Sequence, residues 1–409
     1  MSKEKSLSRR DFLRTVGMVG TGSMLLPAGV FSQGSAEQEG QGQGVKSSSV
    51  PTRTFGKTGL SVSCLSLGGI FDIPSNQLVL KQALEWGVTY WDTAHGYGGG
   101  KSELGIGQFL GKYPETRKQL FIVSKSEARS PAGLTKNLTQ SLERMKTDYI
   151  DLYFLHELKG IDPLNQETRA WAEKVKSEGK IKFFGFSTHS NMEECMLGAS
   201  KLGWIDGIMM SYNFRLMHKH EMRSAIDACV KAGIGLTAMK TQGGGSVSME
   251  SETELQMAGR FLKQGFTDKQ AKLRAVWENS NIASICSQMP NLTILMSNVG
   301  AALNQTKLSA DHLELLRLYA CETASSYCAG CAAICESSSA GAPQIREVMR
   351  CLMYFHAYGE RDRARELFAE LPVTTAKNLL THDFSMAEER CPQGVSIGKL
   401  MREAASLLA

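Results

Sequence analysis

The chain has 409 residues, 42% of them hydrophobic and 21% charged, and a net charge of +5. That length can bury a large core, and the composition excludes a disordered chain. Lys3, Lys5, Arg9, Arg10 and Arg14 face only Glu4 and Asp11 within residues 1–36, so most of the surplus is N-terminal; no basic stripe with interleaved aromatics follows, and nucleic acid is not an expected partner.

In chain order, Ser8-Arg9-Arg10-Asp11-Phe12-Leu13-Arg14 comes first, ahead of a weakly apolar run from Val16 to Phe31. Gly17, Gly20, Gly22, Pro27 and Gly29 interrupt that run, which is too short for a comfortable membrane span, so no transmembrane span is expected in the mature chain. Residues 1–36 resemble a twin-arginine export signal with a small-x-small cleavage pattern ending at Ala36. The resemblance implies the twin-arginine translocation machinery as a partner and a periplasmic or otherwise exported location. Residues 37–50 are rich in Gly, Gln and Ser, which suits a flexible linker.

From Pro51 onward, short apolar runs alternate with amphipathic ones. Strands are predicted at Val62–Leu67, Thr89–Asp92, Leu120–Lys125, Ile150–His156, Phe183–Ser187, Gly207–Tyr212, Gly235–Met239 and Ile282–Ser287. Helices are predicted between them, at Leu134–Lys146, Glu167–Glu178, Glu221–Ala232 and Glu254–Leu262 among others. Eight strands alternating with helices predict an α/β fold, a (β/α)8 TIM barrel over residues 51–308. Residues 309–409 are helix-patterned and cysteine-rich, a small C-terminal domain.

Asp92, Lys125 and His156 each close an apolar run, and Tyr97 follows Asp92 by five residues. Parallel barrel strands all open on one face, so the four can share one pocket. A phenol beside an ammonium that is held by a carboxylate is a tuned proton donor, and a neighbouring histidine can orient a carbonyl oxygen. The order Asp, Tyr, Lys, His, the run Asp92-Thr93-Ala94-His95-Gly96-Tyr97-Gly98 with Ser102-Glu103, the segment Asp148-Tyr149-Ile150-Asp151-Leu152 and Gly185-Phe186-Ser187 resemble the aldo-keto reductase family. The resemblance implies hydride transfer between a nicotinamide cofactor and a small-molecule carbonyl or alcohol. Tyr97 would donate the proton, Lys125 lower its pKa, Asp92 hold Lys125, and His156 orient the carbonyl.

The same resemblance lays NAD(H) or NADP(H) across the C-terminal face of the barrel. Ser187 matches the serine that holds the carboxamide, Tyr212 and Asn213 retain a Tyr-Asn pair, and Asn298 matches the distal asparagine. Thr188 and Met209 stand where asparagine and glutamine are usual. After Lys240, the run Thr241-Gln242-Gly243-Gly244-Gly245 offers a backbone able to approach a pyrophosphate, though a glycine run also suits a plain turn. Gln288, Met289 and Ile294 occupy the positions of the cationic clamp for a 2′-phosphate, which makes NADH an expected cofactor at least equal to NADPH.

Cys328, Cys331 and Cys335 precede a distant Cys391-Pro392. Thiols at that spacing can converge on one centre. They resemble the cysteine-rich tail of a subset of exported aldo-keto reductase homologues, which implies one [4Fe-4S] cluster; zinc and disulfides remain open. Cys321 and Cys351 are expected to be buried, as are Cys64, Cys195, Cys229 and Cys286. A rival function is an iron-sulfur electron-transfer or cofactor-binding protein on a reductase scaffold, with weak or no carbonyl reductase activity and a redox partner.

Overall fold

The computed structural model describes residues 49–247, 251–304, 306–338 and 344–409. The twin-arginine segment and residues 37–48 lie outside the described residues.

An antiparallel pair, β1 (Thr52–Thr54) and β2 (Ser61–Ser63), precedes the barrel. Eight parallel strands then close on themselves: β3 (Leu65–Gly68), β4 (Tyr90–Asp92), β5 (Phe121–Ser126), β6 (Ile150–Leu155), β7 (Ile181–Thr188), β8 (Gly207–Ser211), β9 (Gly235–Met239) and β10 (Ile282–Gln288), the last pairing back on β3. This is the expected (β/α)8 TIM barrel. One predicted strand divides in two. Val62–Leu67 breaks at Cys64, whose N–H donates to the Pro51 carbonyl; residues before it pair with β1, and residues after it enter the barrel.

The helices α1 (Gln77–Glu85), α2 (Lys101–Lys112), α3 (Pro131–Met145), α4 (Gln166–Ser177), α5 (Met192–Ala199), α6 (His220–Lys231), α7 (Glu252–Lys263), α8 (Asp268–Trp277) and α9 (Leu292–Leu303) surround the strands. Local sequence sets their limits. Helix α3 starts where the Ser130 hydroxyl accepts from the Gly133 N–H and Pro131 fills the first turn, and it ends at Lys146 in the left-handed region. Leu134, Leu138 and Met145 turn inward from it. The barrel interior is filled by Tyr90, Val123, Leu152, Phe154 and Met209, and Phe55 from the β1–β2 turn plugs one end. Gly235 makes that plug fit, since a Cβ there would lie 2.4 Å from the Phe55 ring.

Among the described residues, seven α-helices follow the barrel: α10 (Ala310–Glu322), α11 (Ala332–Cys335), α12 (Ile345–His356), α13 (Arg361–Ala369), α14 (Val373–Asn378), α15 (Ser385–Glu389) and α16 (Ile397–Leu407). The helices from α11 onward share a core of their own around Val348, Leu352, Phe368, Leu400 and Met401, whereas Leu315, Leu316 and Tyr319 of α10 pack with Met257 and Phe261 of α7 and Ala275 of α8. Barrel and C-terminal helices fall within one compact unit. No described helix is long and apolar enough to cross a membrane.

Candidate active site

The ends of β4, β5 and β6 bring four side chains together. Lys125 Nζ donates to the Asp92 carboxylate at 2.7 Å, to the Thr93 carbonyl at 2.8 Å and to Tyr97 Oη at 3.4 Å. The Tyr97 and His156 rings meet edge-on with centroids 5.6 Å apart. Asp92, Lys125 and His156 are all buried. Because the phenol oxygen accepts from Lys125, its own O–H is free to donate elsewhere.

The direction in which the Tyr97 phenol is shifted departs from the sequence expectation, while it stays protonated as a donor must. Burial, reinforced by the negative charge of Asp92, pushes the phenol well above its ordinary value. Asp92 neutralises Lys125, so the ammonium does not outweigh desolvation. Tyr97 is therefore a neutral phenol, and Lys125 is placed to stabilise phenolate only as it forms.

Two carboxylates that sequence reasoning missed flank the histidine. His156 Nδ1 and Glu127 Oε1 are 2.7 Å apart, and since a carboxylate only accepts, Nδ1 carries the hydrogen. Burial works against the Glu127 charge, but the His156 hydrogen bond wins and holds its carboxyl below the usual range. Glu157, next in the chain, sits in the left-handed region at φ +55°. Its N–H donates to Ser187 Oγ, and its Oε1 accepts from Arg350 Nη1 at 2.6 Å and His189 Nε2 at 3.2 Å. Despite burial, His189 and Arg350 keep Glu157 well below the carboxylate range, while burial drives His189 down to about 3. The sequence signal was position alone: Glu127 lies two residues after Lys125, and Glu157 one after His156.

The expected cofactor residues separate into two groups. Ser187, Lys240, Gly243 and Gly244 lie at or beside the barrel mouth, where a cavity is lined by His189, Ser211, Lys240, Gly244, Arg346 and Arg350 among others. Asn298 donates to Ser287 Oγ at 3.0 Å, near the end of β10. Tyr212 is a correction. Strand side chains alternate, so with Met209 inside the barrel, Ser211 faces the mouth and Tyr212 turns outward into the main core, where its Oη accepts from Asn279.

The residues implied for a nicotinamide dinucleotide are already engaged by the chain itself. Lys240 Nζ donates to Tyr354 Oη at 3.1 Å, and Asn213 Nδ2 to Tyr327 Oη at 3.1 Å. A Cβ on Gly244 would lie 2.7 Å from Ala357 Cβ, and one on Gly245 2.4 Å from the Ser326 carbonyl. The missing Cβ atoms thus admit Ala357 and Ser326, so that in the closed fold the chain's own C-terminal segment takes up the groups the resemblance assigns to the dinucleotide.

Cys328, Cys331, Cys335 and Cys391 line one second cavity with Ile345 and Val395. All four are free thiols, and burial pushes Cys331 up to about 11 and Cys335 up to about 12. Among the described residues, no three His, Cys, Asp or Glu side chains are grouped closely enough to hold a single metal ion. Cys328, Arg346 and Met349 also line the mouth cavity, so the two cavities adjoin. Cys351 is buried as expected, whereas Cys321 is exposed and Cys286 only half-buried.

Residues 67–300, more than half of the chain, match the model of the aldo/keto reductase family. An aldo-keto reductase of Gibberella moniliformis is 35% identical over 182 residues, covering 42% of this chain and 53% of that protein. The aldo-keto reductase yakc of Schizosaccharomyces pombe, whose name specifies NADP(+), is 32% identical over 157 residues, covering 34% and 46%. The chain thus spans only about half the length of these two curated relatives. Among solved structures, a thermostable aldo-keto reductase, Tm1743, in complex with the inhibitor epalrestat is 26% identical with a TM-score of 0.56, covering 66% of this chain and 99% of that one. The holo form of aldo-keto reductase AKR11C1 from Bacillus halodurans, 24% identical with a TM-score of 0.54 over 66% and 96%, shares the fold.

Proposed function

The chain belongs to the aldo/keto reductase family, and from that premise we propose that it is an exported oxidoreductase interconverting a small-molecule carbonyl and its alcohol. The observation that carries this reading is Lys125 bridging Asp92 and Tyr97, with the His156 ring against Tyr97. In the reductive direction the neutral Tyr97 phenol gives its proton to the carbonyl oxygen while Lys125 stabilises the phenolate that forms. Glu127 fixes the ring of His156 with Nδ1 as donor, leaving Nε2 for the substrate. In this reaction class a bound nicotinamide dinucleotide supplies the hydride. The test is reduction of an aldehyde panel by wild type and Tyr97→Phe. Loss of at least about 100-fold in kcat is expected, and an unchanged rate removes Tyr97 from the role.

Three finer features belong to the same reading. Gln288, Met289 and Ile294 offer no cation to a 2′-phosphate, which supports NADH as well as NADPH. Four thiols around one apolar cavity support an iron-sulfur centre, whose cysteines stand farther apart than the ligands of one zinc. Cys328, Cys331, Cys335 and Cys391 would hold that cluster, which would supply one-electron redox chemistry. The Arg9-Arg10 motif supports twin-arginine export of a chain already folded around its cofactor. The covered mouth favours, as a second reading, an iron-sulfur electron-transfer or cofactor-binding protein with weak or no carbonyl reductase activity and a redox partner.

A further inference from the structure

Helix α12 lies across the barrel mouth with a stripe of side chains one turn apart, each engaging a different barrel loop. Arg346 Nε donates to the His189 carbonyl after β7 at 3.0 Å. Four residues on, Arg350 grips Glu157 after β6 at 2.6 Å, and after another four Tyr354 accepts from Lys240 after β9 at 3.1 Å. Residues at i, i+4 and i+8 share one helical face, so this is a single docking surface. Immediately beyond the helix, Ala357 and Tyr358 pack on Gly244. Two of the three loops meet the helix at non-glycine residues with positive φ, Glu157 and Lys240, both at +55°. A left-handed backbone at two such residues persists only where its surroundings hold it there.

We propose that α12 is an intramolecular competitor of the nicotinamide dinucleotide: it occupies the groove over the ends of β6, β7 and β9, and a nucleotide binds only after the helix lifts. This rests on the aldo-keto reductase reading of the same mouth and adds its regulation. The tetrad's own contacts lie outside the helix, since Lys125, Asp92 and Tyr97 contact one another within β4, β5 and the turn after β4, and His156 is held by Glu127 just after β5. Closure therefore leaves the proton donor assembled and withholds the redox partner. With the open state a minor population, the apparent affinity for nucleotide falls in proportion to that population, and loosening the helix restores it.

The test titrates NADH and NADPH separately into the intact chain, as wild type and as the double variant Arg350→Ala with Tyr354→Ala, by calorimetry. Hydrogen exchange is followed over residues 345–358 with and without nucleotide. Wild type should bind weakly, the double variant at least ten times more tightly, and saturating nucleotide should accelerate exchange across 345–356 in wild type. Equal affinities with exchange in the helix unchanged by nucleotide overturn the competitor and leave the cofactor reading standing. No binding to a double variant whose helix exchanges fast and whose barrel stays protected overturns both. The exchange data also report whether the double variant is folded, and the wild-type acceleration is read without any substitution.

Discussion

Arg350 Nη1 lies 2.6 Å from Glu157 Oε1, and Glu157 directly follows His156, so one ion pair joins the C-terminal helices to the residue next to the tetrad. Arg350 is also 2.7 Å from Glu347, and Lys159 lies 3.4 Å from Glu347 on the far side, which makes a short chain of alternating charge. Removing one member of a buried pair strands the other. Arg350→Met should destabilise the chain by about 3 kcal/mol, the low end for a buried pair, because Glu157 keeps some contact with water. Arg350→Lys should lose less, since it retains the charge and forfeits the fork. Urea denaturation of the two variants checks the order; equal stability of Arg350→Met and wild type would mean that the pair contributes nothing to docking.

The His189 side of the same network predicts how docking responds to acid. Burial depresses His189 to about 3 in the folded chain, against an ordinary value of 6.5. Between those two values the unfolded chain binds the proton and the folded chain does not, so stability is full above the ordinary value and falls as the pH drops toward 3. Glu157 adds to the loss at the acid end: its carboxyl is held low by His189 and Arg350, so its contribution is present above the unfolded carboxylate pKa of ~4.3 and disappears below it. The thermal midpoint should therefore decline through mildly acid pH, with a shallower slope in His189→Gln. An identical slope in that variant would assign the acid response to other groups.

How far the sequence could be read depended on whether a signal was local. The barrel strands were legible because each is a short, mostly apolar run and most end at a polar residue; Gly235–Met239 was predicted to the residue, and most others to within one or two. Asp92, Tyr97, Lys125 and His156 were legible because strand ends share a face. Three things were not. A glycine run announces that something approaches closely, but not whether it is a pyrophosphate or, as at Gly244, Ala357 of the same chain. The charge of Lys125 beside Tyr97 is visible in the residue types, while the desolvation that outweighs it depends on packing. Arg346, Arg350 and Tyr354 lie in a stretch that the sequence shows only as helix-patterned, and it is the fold that lays their common face on the barrel.

Nucleotide preference can be tested independently of the helix, because any cost of opening the mouth is common to NADH and NADPH and cancels in their ratio. Ile294, in the first turn of α9, is exposed where a 2′-phosphate clamp would stand, and Gln288 is committed to the Ile70 carbonyl. Wild type should bind NADH at least as well as NADPH. Ile294→Arg should shift the ratio toward NADPH by about tenfold, the effect of one charge-assisted hydrogen bond. A wild-type ratio already favouring NADPH would show that other residues bind the phosphate.

The cysteine cavity makes the last prediction. Cys328, Cys331 and Cys335 precede and include α11, whereas Cys391 arrives from the turn after α15, so a shared centre would tie two segments more than fifty residues apart. Burial holds Cys331 and Cys335 as neutral thiols in the absence of a metal, and a bound centre would convert them to thiolates, adding its binding free energy to folding. Anaerobically purified protein should then contain about four irons per chain for one cubane. Cys391→Ser should lose most of the iron and lower the thermal midpoint. Exposed Cys321 serves as the control, and Cys321→Ser should change neither. One zinc per chain in place of iron would make this a structural metal site, and metal-free protein without reactive thiols at these positions would make it a pair of disulfides. Because Cys328 lines both cavities, loss of iron should also loosen the segment that carries Tyr327 against Asn213. Hydrogen exchange over residues 326–332 of Cys391→Ser would register that loosening, and unchanged protection there would separate the cysteine centre from the barrel mouth.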